Sequence, residues 1–248
     1  YSNYLDKYQN GDGDIYPSML LEDTHRWQPD FLKSRNVITD LIMFRKAFEC
    51  AAAASEILGV DDELRMRWRG NVSRIPPVEY GWKDGRGWYG IYKNWETAWP
   101  DFDEYLNHLR TSRWGCSGWL VFPGEHIAGD EEGGLAAAAR DVLRHTDLLN
   151  LPDRTRQLGT FHGEANFLPF IRMGLMEKFD DLRTLLLYHR FAGGQFSPYA
   201  TGEGIYIRGA HTASWRIVEN QYFPILGIAA ILLQSQAGVI RLFASSPQ

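Results

Sequence analysis

From about Val37 to Leu58 the chain keeps apolar side chains in step with a helical turn, and no other feature limits the possible folds as strongly. Ile38, Leu41, Ile42 and Phe48 form the stripe, Asn36 is placed to cap its start and Gly59 to stop its end. A helix of this kind must bury its stripe against other elements. The same period recurs over Asp61 to about Arg69, Phe102 to Leu109, Leu135 to His145, Glu164 to Met176, Asp181 to Phe191 and Pro224 to Gln236. Pro169 is expected to kink the fifth of these seven helices, Pro224 to open the last and Gly238 to end it. Tyr1 to Lys33 reads as loop, with Asn10-Gly11-Asp12-Gly13-Asp14 and Tyr16-Pro17-Ser18 as its turn signals. Pro76-Pro77 ends the second helical unit, residues 78–99 read as Gly- and Trp-rich irregular chain, and Gly193 to Gly209 as a long loop or hairpin. Val239 to Phe243 reads as a strand. Alternating patterns are otherwise nearly absent, and no solenoid-type repeat is visible. The expectation is a mainly α chain, a helical toroid or bundle whose long loops elaborate one face.

Composition narrows the function classes. Hydrophobic residues make up 44% and charged residues 23%, as in a soluble globular domain. The formal charge of -5, with both signs interleaved, leaves no basic stripe for a nucleic-acid backbone. The longest apolar run, Tyr222 to Leu233, is too short to span a bilayer. No leader pattern opens the chain, and its start at Tyr1 is expected to lie within a longer polypeptide. Cys50 and Cys116 are expected to be reduced, packed thiols. The pairs Asp12 and Asp14, and Asp101 and Asp103, lack the ligand spacing of a calcium loop, so no metal and no cofactor is expected. Trp82, Trp88, Trp95, Trp99, Trp114 and Trp119 crowd one stretch, and such rings suit either a core or the face of a sugar.

Several motifs stand in one collinear order. They are Pro17-Ser18-Met19-Leu20-Leu21-Glu22-Asp23, Thr39-Asp40, Ala54-Ser55-Glu56-Ile57-Leu58-Gly59-Val60-Asp61, Ile75-Pro76-Pro77, Phe122-Pro123-Gly124-Glu125-His126-Ile127 and Gly159-Thr160-Phe161-His162-Gly163. The last runs through Glu219-Asn220-Gln221-Tyr222-Phe223, Leu232-Leu233-Gln234-Ser235-Gln236, Gly238-Val239-Ile240 and Phe243-Ala244-Ser245-Ser246-Pro247. In this order they resemble glycoside hydrolase family 95, the 1,2-α-L-fucosidases and α-L-galactosidases. The family frame Pro-Ser-x-Ser-Pro-Glu-Asn has Leu20-Leu21 in place of Ser-Pro. Its aspartate on the base side of the reaction is replaced by Glu219, and the following glycine by Asn220. The family's His-Arg-His-x-Ser-His-Leu run has no good counterpart around Ser112 to Leu120, and its paired asparagines upstream of the acid have none before Glu22.

The resemblance implies the second half of an (α/α)6 helical barrel over residues 1–238, with a β element beginning over 239–248. It implies an inverting, exo-acting glycosidase that removes a non-reducing-end sugar such as α-L-fucose or α-L-galactose. Its partners would be that carbohydrate and the other half of the same enzyme, in a secreted or periplasmic bacterial setting. Glu22 would be the general acid, its pKa raised by apolar Met19, Leu20 and Leu21, and Glu219 would stand on the base side. His25, Arg26 and Trp27 would border the sugar, joined by Trp114, His162, Glu164, Asn166 and Asn220. Two alternatives stay open. One is a polysaccharide lyase on an (α/α) toroid, with His162, Tyr206, Arg208 and His211 as base and carboxylate neutraliser. The other is a non-catalytic carbohydrate-binding or structural domain.

Overall fold

The computed structural model describes residues 2–18, 34–111, 116–128, 132–146, 167–181, 183, 227, 229–236 and 238–242. The chain is mainly helical and divides into two compact units, Tyr1–Tyr105 and Leu106–Gln248.

The first unit is built on a helical hairpin. Helix α1 (Ser2–Tyr8) precedes the long α2 (Ile38–Leu58), and α3 (Asp62–Arg74) returns along it. The buried stripe of α2 is Ile38, Leu41, Ile42, Phe44, Phe48 and Ala52, at the spacing expected of a half-buried helix. Gly59 ends α2 in the left-handed region at φ 65°, and Val60 N–H bonds back to Ser55 O at 3.1 Å. The antiparallel return is fixed at both ends: Arg69 pairs with Glu56, and Arg45 donates to Ile75 O at 3.0 Å. Helix α3 runs on to Arg74, past the expected end at Arg69. Its outer face is solvated, and only Asn71 is buried along it.

Several further expectations for this unit are corrected. The opening stretch is not all loop, because α1 forms from Ser2 to Tyr8. Its turn-rich sequel hid a short helix that tertiary contacts hold: Leu5 is fully buried and Asp6 pairs with Arg67 and Arg74. Residues 78–99 are not irregular either. Strands β1 (Tyr80–Lys83) and β2 (Arg86–Tyr89) form an antiparallel hairpin, and α4 (Trp95–Ala98) follows. Asp84 and Gly85 both have positive φ, 53° and 73°, the turn that an Asp-Gly pair favours because it matches strand twist. Finally, Asn36 does not cap α2. Val37 occupies the N-cap position, and Asn36 turns its side chain to the loop at Asp14 and Ile15.

Aromatic packing closes the hairpin end of the unit. Trp95 stacks on Tyr105 with centroids 3.7 Å apart and planes at 13°. The buried Tyr105 hydroxyl donates to Tyr89 O at 2.7 Å and accepts from Ile91 N–H at 3.1 Å. Tyr105 belongs to α5 (Phe102–Thr111), whose first turn is capped by Asp101 through Asp103 N–H and Glu104 N–H. Trp95 is therefore core, while Trp82 stands half exposed on β1. Cys50 is exposed and free on α2, contrary to the expected packed thiol.

In the second unit, α6 (Cys116–Val121) packs against α7 (Gly134–Arg144) and α8 (Phe167–Arg172). Ala136, Ala138 and Ala139 are fully buried on α7, where small side chains permit close approach. Pro169 lies within α8, and the part of the expected helix from Glu164 to Asn166, which would show whether it kinks, lies outside the described residues. Gly174, at φ 65°, ends that helical stretch before Met176, and a 3-10 turn follows at Met176–Lys178. Strands β3 (Leu233–Gln236) and β4 (Val239–Leu242) pair antiparallel, so the last helix does not reach Gln236. Gly238, at φ 74°, lies in the short connection, and Gln234 turns inward to donate to Ile171 O at 3.3 Å.

The hairpin supplies a test of this packing. A Cβ at Gly81 would lie 2.9 Å from Trp88 Cζ2, because the indole lies across the opposite strand. Gly81→Ala should displace Trp88 and destabilise the unit by about 1–3 kcal/mol. Urea midpoint and tryptophan fluorescence measure it; an unchanged midpoint and spectrum would contradict the close approach.

Candidate functional site

All ten residues expected to carry the chemistry, Glu22, Glu219, His25, Arg26, Trp27, Trp114, His162, Glu164, Asn166 and Asn220, lie outside the described residues, as do Tyr206, Arg208 and His211. What is described is the ground on either side of the Glu22 segment. Ser18 N–H bonds to Ser34 O at 3.1 Å, so the points where the chain leaves and re-enters are held together. The Ser18 hydroxyl accepts from Val37 N–H at 3.0 Å and donates to Asp40 at 2.6 Å. It thereby satisfies a backbone donor at the α2 start that the helix cannot. Tyr4 donates to Pro17 O at 2.9 Å.

Beside these anchors lies a buried charge. Asp14 is 4% exposed and receives Lys93 Nζ at 2.9 and 2.8 Å on its two oxygens. The Asn36 amide donates to the same carboxylate at 2.7 Å, while its oxygen accepts from Ile15 N–H at 2.8 Å. Asn36 has φ 51°, a conformation that asparagine tolerates better than most residues. The segment carrying Lys93 is tied to the α2 entry by two backbone bonds, Ile38 N–H to Ile91 O and Lys93 N–H to Arg35 O, each 2.9 Å. Burial raises the Asp14 carboxyl, but the Lys93 and Asn36 hydrogen bonds and the Lys93 and Arg35 charges outweigh it and hold the group below the usual range.

A cavity of about 140 Å³ opens against this cluster. Asp14, Asn36, Lys93 and Glu79 form its polar side, and Leu41, Pro76, Pro77 and Tyr92 much of the remainder. Gly90 completes the wall, its N–H bonded to Glu79 O at 2.8 Å. Partial burial and the Glu96 charge raise the Glu79 carboxyl, with Lys93 opposing and Asp14 adding to the rise. Burial pushes the Tyr92 hydroxyl up to about 12, against the pull of the Trp99 indole N–H. The sequence reading weighed Asp14 as half of a calcium pattern and missed this constellation. Lys93 and Glu79 stand far along the chain from Asp14, and no local spacing joins them. Among the described residues, no group of three or more His, Cys, Asp or Glu side chains is placed to hold a metal ion. No described helix is long and apolar enough to cross a membrane.

In the second unit, the Phe122-Pro123-Gly124-Glu125-His126-Ile127 motif forms a tight turn after α6. His126 N–H and Ile127 N–H both bond to Leu120 O, at 2.8 and 3.1 Å. Glu125, at φ 45°, pairs with Arg172 at 2.9 Å, and the guanidinium lies 4.8 Å over the Phe122 ring. The motif thus ties α6 to α8, a packing role.

No protein-family model matches the chain, and no curated protein matches it.

His108 and Asp14 together predict an acid-sensitive fold. Burial holds His108 down to about 4, so the unfolded chain takes its proton first. Stability then falls as pH drops from about 6.5 toward 4, by on the order of 3 kcal/mol. The Asp14 contribution is complete above about pH 4 and is lost below it, because its folded pKa is depressed. Asp14→Asn should cost about 2–3 kcal/mol at neutral pH, less than a fully buried pair because Lys93 is one-third exposed. Urea midpoints from pH 7 to about pH 2 should show the two proteins converging below about pH 4; a constant gap would contradict the assignment.

Proposed function

We propose that this chain is catalytic-domain sequence of an inverting glycoside hydrolase on an (α/α) helical barrel, similar to the 1,2-α-L-fucosidase and α-L-galactosidase family. The observation that carries the reading is the collinear order of the motif frames from Pro17-Ser18 and Glu22 to Glu219-Asn220 and the final Gly238-Val239-Ile240. The mainly helical fold and the antiparallel α2–α3 hairpin agree with it. The pinning of Ser18 to Ser34 supports it too, since a segment that delivers a proton needs fixed ends.

Hydrolysis then divides between two carboxyls. Glu22, protonated among Met19, Leu20 and Leu21, gives its proton to the departing glycosidic oxygen. Glu219, ionised on the opposite side of the ring, takes a proton from the attacking water. Inversion needs room for that water, so the carboxyls stand roughly 6.5–9.5 Å apart when substrate is bound. Glu219 is one methylene longer than the family's aspartate, which moves the base by on the order of 1 Å. The pocket compensates for that displacement if the chain is active. His25, Arg26, Trp27, Trp114, His162, Glu164, Asn166 and Asn220 surround the sugar, and no metal or cofactor takes part.

The test separates the two carboxyls by leaving group. Glu22→Gln should slow release of a poor alkyl leaving group by about 10²–10⁴-fold and spare an activated aryl glycoside, which departs without protonation. Glu219→Gln should slow both alike. Equal losses on both substrates for Glu22→Gln would remove it from the acid role.

A further inference from the structure

The cavity in the first unit is unused by the proposed mechanism, and its chemistry limits what enters it. With Arg35 counted beside the lining groups, two carboxylates, Asp14 and Glu79, face two cations, Lys93 and Arg35. An anion would meet Glu79 and a cation would meet Lys93, so a neutral ligand is favoured. Asp14 and Asn36 are already engaged with each other, with Lys93 and with Ile15. Among the charged lining groups, Lys93 and Glu79 retain capacity. Lys93 has an ammonium N–H beyond those given to Asp14, and the Glu79 carboxylate makes no hydrogen bond or ion pair among the described residues. A donor and an acceptor that do not close on each other therefore line one space together with Leu41, Pro76 and Pro77. The volume, about 140 Å³, holds several waters but lies well below the roughly 300–1,000 Å³ of a drug-sized site.

We propose that this cavity is a binding subsite for one hydroxylated ring of a carbohydrate. A vicinal diol donates to Glu79 and accepts from Lys93, while the C–H face of the ring rests on the prolines. The choice of ligand rests on the glycosidase reading; the cavity and its polar gap do not.

The experiment titrates the full chain with methyl α-L-fucopyranoside while following backbone amides by NMR, with tetrahydropyran as the same ring without hydroxyls. The glycoside should shift the amides of Asn36, Gly90 and Lys93, and tetrahydropyran should not. Glu79→Ala should weaken binding by about tenfold or more at an unchanged melting temperature, because the Glu79 side chain is exposed and supports no neighbour. Glu79→Gln, which keeps an acceptor, should restore part of the loss. No shifts at these amides, equal affinity in Glu79→Ala, or equal shifts with tetrahydropyran would overturn the subsite. Aryl-glycoside turnover in parallel separates the two ideas. Turnover without these shifts leaves the hydrolase and removes the subsite, and shifts without turnover do the reverse.

Discussion

A carboxylate taken almost wholly out of water has to be answered by charge, and the first unit is arranged around the answer Asp14 receives. Lys93 reaches both oxygens and Asn36 a third bond, and each partner brings its own stretch of backbone with it. Asn36 brings the entry to α2, and Lys93 brings the chain that leaves the β-hairpin. Removing Lys93 would leave the buried carboxylate with only the more distant Arg35 to balance it, and removing Asn36 would leave it one hydrogen bond short. The loop from Gln9 to Ser18, the start of the longest helix and the end of the hairpin are therefore one cooperative structure. The Glu22 segment departs from and returns to this place, since Ser18 and Ser34 are bonded there.

Much of this helical frame was legible in the sequence, because long periodic stripes outweigh everything local. The α2 stripe, its stop at Gly59, and the helices near Phe102 and Leu135 follow from spacing and glycine alone. The misses have physical causes. Helix α1 is short and stands on Leu5 and the Asp6 pairs, contacts made with residues far along the chain. The β1–β2 hairpin was readable: Lys83-Asp84-Gly85-Arg86 carries its turn signal, masked by a Trp-rich surround that suggested irregular chain. The β3 strand begins at Leu233, where the apolar run ends, and the pairing with β4, not an alternating pattern, makes it a strand. Asn36 was misread because a polar residue before a helix usually caps it, whereas here a distant carboxylate competes for its side chain.

The chemistry divides along the same line. Local motif frames point to Glu22 and Glu219, residues outside the described part of the chain. The site that the fold assembles, with Glu79 and Lys93 lining a small cavity, has no local signature, because its members meet only through tertiary structure. Both belong to one proposal: a hydrolase whose Glu22 segment is flanked by bonded residues near a buried ion pair, with an amphipathic recess in the same unit suited to a further sugar ring. The Phe122–Ile127 motif has a mechanical part in this account, tying α6 to α8 through Glu125 and Arg172.

If the chain hydrolyses a glycosidic bond with inversion, as proposed, the anomer first released reports on it directly. Proton NMR during early hydrolysis of an α-L-fucoside or α-L-galactoside by the full-length protein distinguishes the two anomers before mutarotation mixes them. The account predicts that the β-anomer appears first and the α-anomer grows in afterwards. Release of the α-anomer first would contradict the water-mediated pairing of Glu22 with Glu219, and no release of sugar from either substrate would contradict the hydrolase itself.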